Sequence, residues 1–338
     1  MRTSRLLNRF RLLSAYVTGR SRVDSLPVSL IIENTGRCNL QCPMCPRELT
    51  DYPPKDFDFE LFKRIVDEVK HASELIFPWG LGEPLLNPDV FRMIRYCKDA
   101  GICTVLSTNA TLLDEERSRL LIESGLDHLI LAFDGATPEV YEKYRKNANF
   151  DKVRRNILRF LEIKKEMEAE VFVVLQMVRL PDNERQVEAF HRIWDIEGVD
   201  EIRIKEDETV IPGVARPERQ RHDRRRHPCY QLWQGPIHIN YDGELRPCCH
   251  SYEAPAIGNV REHSVYELWN SPAMVRWREA HLQGRLDDYP YCRDCHAPNP
   301  RLPAIVGSFF VDPYRLRQWI PRAEKLAFFY RLPIFRDR

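Results

Sequence analysis

From residue 28 to residue 205 the chain alternates strand-like and helix-like segments, and this alternation restricts the fold more than any other feature. The strand-like runs are VSLIIE (28–33), ELIFP (74–78), ICTVLS (102–107), HLILAFD (128–134), VFVVLQMV (171–178) and DEIRIK (200–205). Helical stretches lie between them at 57–71, 88–100, 114–124 and 183–196, and another opens at Thr137 with Pro138 at its first position. The first of these sets Phe62, Ile65, Val66 and Val69 on one face, the spacing of a helix packed on a core. Gly125 stands where the helix at 114–124 should close. Such alternation predicts parallel β/α units with right-handed crossovers. Sheets of this kind gather ligands at the carboxyl ends of their strands.

The alternation stops near residue 206. A segment rich in Pro and Arg, IPGVARPERQRHDRRRHP (211–228), reads as a linker, and beyond it come short strands, turns and cysteines. IHINYDGELRPCC (237–249) reads as a hairpin around Asp242-Gly243. The expected organisation is therefore a basic amphipathic segment (1–27), a β/α core (28–206), a linker (207–228), a small cysteine-bearing domain (229–300) and a basic aromatic segment (301–338). The apolar fraction of 43% is ample for a core, and a net charge of +1 does not suggest a polycation that coats nucleic acid. Ten cysteines in a chain able to bury a core do not read as a disulfide framework. Arginines at 2, 5, 9, 11, 20 and 22 interrupt any secretory apolar run, and no stretch approaches the length of a membrane span. A reducing cytoplasm, with thiolates bound to metal, is the expected setting.

Just past the first strand stands CNLQCPMC, with Cys38, Cys42 and Cys45 inside eight residues. A four-iron cubane takes four cysteines as a rule, so three leave one iron open to another ligand. Catalytic metal sites keep such an opening, whereas structural ones close it. A partial zinc knuckle is the competing reading of these three thiols.

Three further motifs weigh against it, and with CNLQCPMC they resemble the radical S-adenosylmethionine (SAM) superfamily. WGLGEPLLNP (79–88) is similar to the family's Gly-Gly-Glu-Pro motif, departing from it at Leu81 but keeping Gly82, Glu83 and Pro84. STNATLL (107–113) matches the third-strand motif and offers Ser107 and Asn109. LAFDGATPEVYEKYR (131–145) resembles the fourth-strand segment, with Ala132 in place of Ser, and offers Asp134 and Arg145. The resemblance implies a partial (β/α)6 TIM-like barrel. It implies a [4Fe–4S] cluster on Cys38, Cys42 and Cys45, with SAM on the fourth iron. It further implies SAM contacts from Gly82, Glu83, Pro84, Ser107, Asn109, Asp134 and Arg145. The implied chemistry is reductive cleavage of SAM to methionine and a 5′-deoxyadenosyl radical, which abstracts hydrogen from the substrate. A low-potential donor of flavodoxin or ferredoxin type would supply the electron.

The second half carries Cys229, Cys248, Cys292 and Cys295, with Gly-Asn-Val (258–260) and Leu-Trp-Asn-Ser (268–271) between them. This resembles the SPASM/twitch extension of radical SAM enzymes. Two-cluster SPASM domains need further cysteines after the C-x2-C pair, and none follows Cys295. The resemblance thus implies one auxiliary [4Fe–4S] cluster, with four-thiolate zinc as its alternative. Cys249 adjoins Cys248 and competes with it as ligand, although the Gly-x4-Cys spacing favours Cys248. Cys97 and Cys103 read as buried small hydrophobes, and His191 and His238 as structural histidines.

The spacing of the later cysteines is similar to that of aminocyclitol dehydrogenases, which implies substrate oxidation through the auxiliary cluster. Peptide modification, bond formation on a lipid, and a non-catalytic zinc or iron–sulfur scaffold for nucleic acid are the alternatives. No nucleic acid is expected as partner, because a scaffold leaves Gly82-Glu83-Pro84 without purpose. The arginines at 216, 219, 221, 224, 225 and 226 read as a solvated run or a seat for an acidic substrate. The basic, amphipathic termini could touch an anionic membrane or pack on protein.

Overall fold

The computed structural model describes residues 2–49, 52–206, 227–250, 254–293, 295 and 302–310. The arginine run at 216–226 and most of the C-terminal segment lie outside the described residues. The chain forms two compact units, Met1–Asn299 and Pro300–Arg338.

The first unit opens with α1 (Arg2–Val17), β1 (Ser29–Ile32), α2 (Phe59–Val69), β2 (Leu75–Phe77), α3 (Val90–Asp99) and β3 (Cys103–Thr108). It continues with α4 (Glu115–Glu123), β4 (His128–Ala132), α5 (Pro138–Tyr144), α6 (Phe150–Glu166), β5 (Phe172–Arg179), α7 (Val187–Trp194) and β6 (Glu201–Glu206). Each of the six strands lies within two residues of where the alternation put it, and neighbours pair in parallel in the order β6-β5-β4-β3-β2-β1. Asp58 caps α2 by accepting from the Leu61 N–H, and Phe62, Ile65, Val66 and Val69 are buried as the periodicity required.

Between β4 and β5 the single expected helix is two. α5 ends at Tyr144, Asn147 turns the chain with φ 74°, and Asn149 starts α6 by accepting from the Lys152 N–H. Asparagine tolerates this left-handed conformation and caps well, so the two Asn residues break one periodic stretch. The helix expected at 183–196 also shortens, a 3₁₀ turn at Glu184–Gln186 preceding α7.

Leu129, Leu131, Phe133, Val173, Leu175 and Met177 form one core with the covering helices, and Ile202 and Ile204 pack against it. Alternation along each strand then sends Ala132, Gln176 and Arg203 to the opposite, inner face, in register on three neighbouring strands.

The later region continues this sheet. After α8 (Gln231–Gln234), β7 (Ile237–Ile239) pairs in parallel with β1, Ile31 opposite His238. The expected hairpin follows as antiparallel β8 (Glu244–Arg246), and β9 (Gly258–Asn259) ends a nine-stranded sheet. α9 (Val265–Trp269), α10 (Pro272–Leu282) and α11 (Pro290–Arg293) follow it in the chain. Glu68 of α2 accepts from the Val265 and Tyr266 N–H groups, placing a carboxylate on the positive end of α9.

The amphipathic N-terminal segment packs on protein. α1 buries Arg5, Asn8, Arg9, Leu12, Ala15 and Tyr16. Arg5 donates to the Lys70, Ala100 and Gly101 carbonyls, where α2 and α3 end. Arg9 pairs with buried Glu74 at 2.6 Å. Two of the helix's basic residues are therefore spent inside the fold, while Leu6, Leu7 and Val17 stay exposed. Among the described residues no helix is long and apolar enough to cross a membrane. In the second unit the described helix is α12 (Leu302–Ser308).

Candidate functional site

The four motifs meet through hydrogen bonds at the carboxyl ends of β1 to β4. Glu83 N–H donates to the Arg37 carbonyl at 2.8 Å, fastening the loop after β2 to the one after β1. The Glu83 carboxylate is fully buried and accepts from Thr108 Oγ1 at 2.6 Å, Asn109 N–H at 2.8 Å and Leu85 N–H at 3.2 Å. Asn109 in turn donates to Asn39 inside the cysteine loop at 3.0 Å, and Asn39 donates to Thr111 at 2.7 Å. Ser107 is half-buried on the inner face of β3.

Close backbone packing fixes where glycine is needed in GLGEP. A Cβ on Gly80 would stand 2.3 Å from Glu33 Oε1, and one on Gly82 would stand 2.1 Å from the Thr35 carbonyl oxygen. Position 81 carries a half-buried leucine and contributes only its backbone N–H, which donates to Glu33 as a glycine there would. Leu81 therefore departs from the family residue without disturbing the turn.

Glu33 was not singled out from the sequence. It follows β1 directly, is fully buried, and accepts from the Tyr52 hydroxyl and the Leu81 N–H. Burial pushes its carboxyl up to about 7, against the pull of hydrogen bonds from Tyr52, Leu81, Gly82 and Tyr241. Tyr241 comes from the hairpin of the later region, and its ring meets that of Tyr52 edge to face at 5.0 Å. The available signal was a charged residue ending an otherwise apolar strand.

Asp134 and Arg145, both expected to contact SAM, pair with one another at 2.6 Å, with Asp134 fully buried. Arg145 also stands 4.0 Å from Cys42 Sγ, a cation beside a candidate thiolate. Burial raises the Cys38, Cys42 and Cys45 thiols, that of Cys45 to about 12, and Cys38 and Cys42 add to the Cys45 shift. The Arg145 charge opposes this at Cys42. Three soft donors held together in one short loop suit iron better than a hard cation. Among the described residues no group of three Cys, His, Asp or Glu side chains is placed to hold a metal ion. The fit thus rests on donor chemistry.

In the later region Cys249 is half-buried, and its thiol is pushed up by burial, then by nearby Cys248, with Cys295 adding to it. Cys229 N–H donates to His281 Nδ1 at 3.3 Å, and the Cys229 sulfur lies near the Tyr16 hydroxyl. Cys295 N–H reaches the Cys292 carbonyl at 3.4 Å, giving the C-x2-C turn. Both Cys248 and Cys249 thus stay in the candidate set. Cys97 and Cys103 are buried as expected, and burial lowers His238 to about 3, a neutral core histidine. His191 is exposed on α7.

An open parallel barrel with three cysteines in the loop after its first strand, and a second cysteine region continuing its sheet, is the scaffold of an iron–sulfur enzyme. Residues 32–193 match the radical SAM superfamily and residues 229–296 match SPASM, an iron–sulfur cluster-binding domain. The chain belongs to the radical SAM superfamily and carries a SPASM domain. It is 27% identical to the AdoMet-dependent heme synthase of Methanosarcina barkeri, over 86% of this chain and 97% of that protein. It is 26% identical to the PqqA peptide cyclase of Gluconobacter oxydans, over 76% of this chain and 80% of that protein. Streptococcus suis SuiB bound to S-adenosylmethionine shares the fold, with a TM-score of 0.60 and 15% identity over 77% of this chain and 69% of that one. Proteins of this class bind SAM and a [4Fe–4S] cluster in the radical SAM domain and further iron–sulfur clusters in the SPASM domain.

Proposed function

We propose that this enzyme oxidises its substrate by two electrons, one lost with an abstracted hydrogen atom and one passed to a single auxiliary cluster. When bound, SAM and its cluster supply the 5′-deoxyadenosyl radical, the cofactor's own chemistry. Cys38, Cys42 and Cys45 would hold that cluster, and Arg145 beside Cys42 favours the thiolate. Asp134 fixes Arg145, while Glu83 joins the strand-end loops that face SAM. Gly82 and Pro84 shape a turn that would contact SAM, and Ser107 and Asn109 would add contacts from the end of β3.

The observation that carries the oxidation reading is the second thiol set: Cys229, Cys292 and Cys295 with Cys248 or Cys249, four soft donors for one closed cluster. A closed cluster cannot bind SAM, which leaves it electron transfer or structure. The names of the relatives make tetrapyrroles and peptides the first substrate classes to try.

Iron per chain in anaerobically reconstituted protein tests this directly. Two clusters predict about eight irons, falling to about four when Cys38, Cys42 and Cys45 are all replaced by Ala. Four irons with bound zinc in the unaltered chain would make the later cysteines structural. A product two hydrogens lighter than its substrate would complete the case, and a redox-neutral product would end it.

A further inference from the structure

The inner face of β6 holds a group that neither the cluster loops nor the SAM motifs use. Arg203 lies there because Ile202 and Ile204, its strand neighbours, pack into the helix-side core. Its register partner is Gln176 of β5, which stands opposite Ala132 of β4, two residues before Asp134. Arg203 thus lies in the layer just beneath the Asp134–Arg145 pair.

Two edges of the guanidinium are engaged. Nε donates to Glu201 at 2.9 Å, and Nη1 reaches Gln176 Oε1 at 3.5 Å. Nη2 is buried and has no hydrogen-bond partner among the described residues. A buried donor on a permanent cation is costly to leave unmade, and guanidinium presents its donors in a fork suited to carboxylate or phosphate. The Arg203 side chain retains 18% exposure, so the inner face is open at this level.

The neighbourhood fits a substrate position. Lys205 is on the same face two residues further on, roughly 7 Å along the strand, and lies near Cys249 of the auxiliary set. The inner face of β6 therefore runs from the layer beneath the SAM motifs toward the auxiliary thiols. A molecule losing hydrogen at one end of this path and an electron at the other would lie along it. Ala132 opposite Gln176 adds little bulk, and the long side chains of the layer come from β5 and β6.

We propose that Arg203 binds an oxyanion of the substrate, carboxylate or phosphate, inside the barrel and orients it between the two cluster sites. This rests on the reading that the substrate occupies the barrel interior of a working radical SAM enzyme. Gln176 holds the guanidinium in plane, and Nη2 supplies the donor that the anion completes. Arg203 is then a specificity residue, selecting anionic substrates over neutral ones of the same shape.

The test uses reconstituted, SAM-loaded full chain under anaerobic calorimetry, with acetate and inorganic phosphate as probes and chloride at matched ionic strength as control. Binding of acetate but not phosphate assigns a carboxylate substrate, and the reverse assigns a phosphate. The Arg203→Gln variant should bind the preferred probe at least about tenfold more weakly, about 1.4 kcal/mol. Arg203→Lys keeps the charge without the fork and should fall between the two, which separates loss of the site from loss of fold. Neither probe exceeding chloride in the unaltered chain, or equal binding by Arg203→Gln, overturns the proposal. So does a loss seen in Lys205→Gln and not in Arg203→Gln. Formation of 5′-deoxyadenosine by the unaltered chain without either probe reports separately on the reading beneath it.

Discussion

Replacing Gly82 by Ala tests the account of the SAM-facing turn most sharply. The added Cβ would lie 2.1 Å from the Thr35 oxygen, 2.7 Å from the Arg37 oxygen and 2.9 Å from the Thr35 carbonyl carbon. All three are backbone atoms, and ordinary contact begins at 3.4 Å, so the turn must move by more than an ångström. Neither side yields cheaply. Thr35 is tied to Asp56 through its hydroxyl at 2.6 Å, and the Arg37 oxygen holds Glu83 N–H at 2.8 Å. Displacing the turn pulls Glu83 from Thr108 and Asn109, which loosens the β3 motif as well. Overpacking of this kind costs about 1–3 kcal/mol. Transferred to the cofactor site, that is roughly 5- to 150-fold in the SAM dissociation constant. Anaerobic equilibrium binding of SAM to the reconstituted variant measures it, with iron content as a check on cluster assembly. Leu81→Gly, at the neighbouring position, should bind SAM as the unaltered chain does. SAM affinity within twofold of normal in Gly82→Ala, at full iron content, would refute the reasoning.

Glu33 gives a pH signature. Its carboxyl is raised from 4.5 to about 7, so the folded chain holds a proton the unfolded chain has released between those values. Stability should therefore fall as pH rises through that window and level off above 7, by on the order of 3 kcal/mol. Glu33→Gln should flatten that part of the thermal-melt profile, and parallel profiles would contradict the assignment. Asp134→Asn leaves the buried Arg145 charge without its partner and should destabilise by about 3–5 kcal/mol in chemical denaturation. A loss below 1 kcal/mol would mean that the pair is solvated. Glu68→Ala removes the carboxylate from the start of α9 and should cost about 0.5–2 kcal/mol, the range of a lost helix cap. Faster hydrogen exchange at Val265 and Tyr266 should accompany it, and unchanged protection there would speak against the cap.

Much of the core was legible in the sequence because it depends on short-range regularities. Period-2 and period-3.6 apolar patterns placed β1 to β6 and most helices, since each such segment must bury one face whatever its neighbours are. The three-cysteine loop was equally legible, because its ligands lie within eight residues and need no distant partner. The helix boundary at Arg145–Asn149 was missed because two asparagines, not a proline or glycine, break the pattern there. Tertiary structure alone decided the rest. Long-range pairing within the chain joined β7 to β1, so the later region extends the barrel sheet across what reads as a linker. The burial of Arg5 and Arg9 in α1 depended on two helix ends and Glu74, all more than sixty residues away. Glu33 and Arg203 looked like ordinary charges in strand segments. Their significance comes from the low-dielectric surroundings and missing partners that only folding supplies: a carboxylate walled in by Gly80, Tyr52 and Tyr241, and a guanidinium with one buried donor unmet.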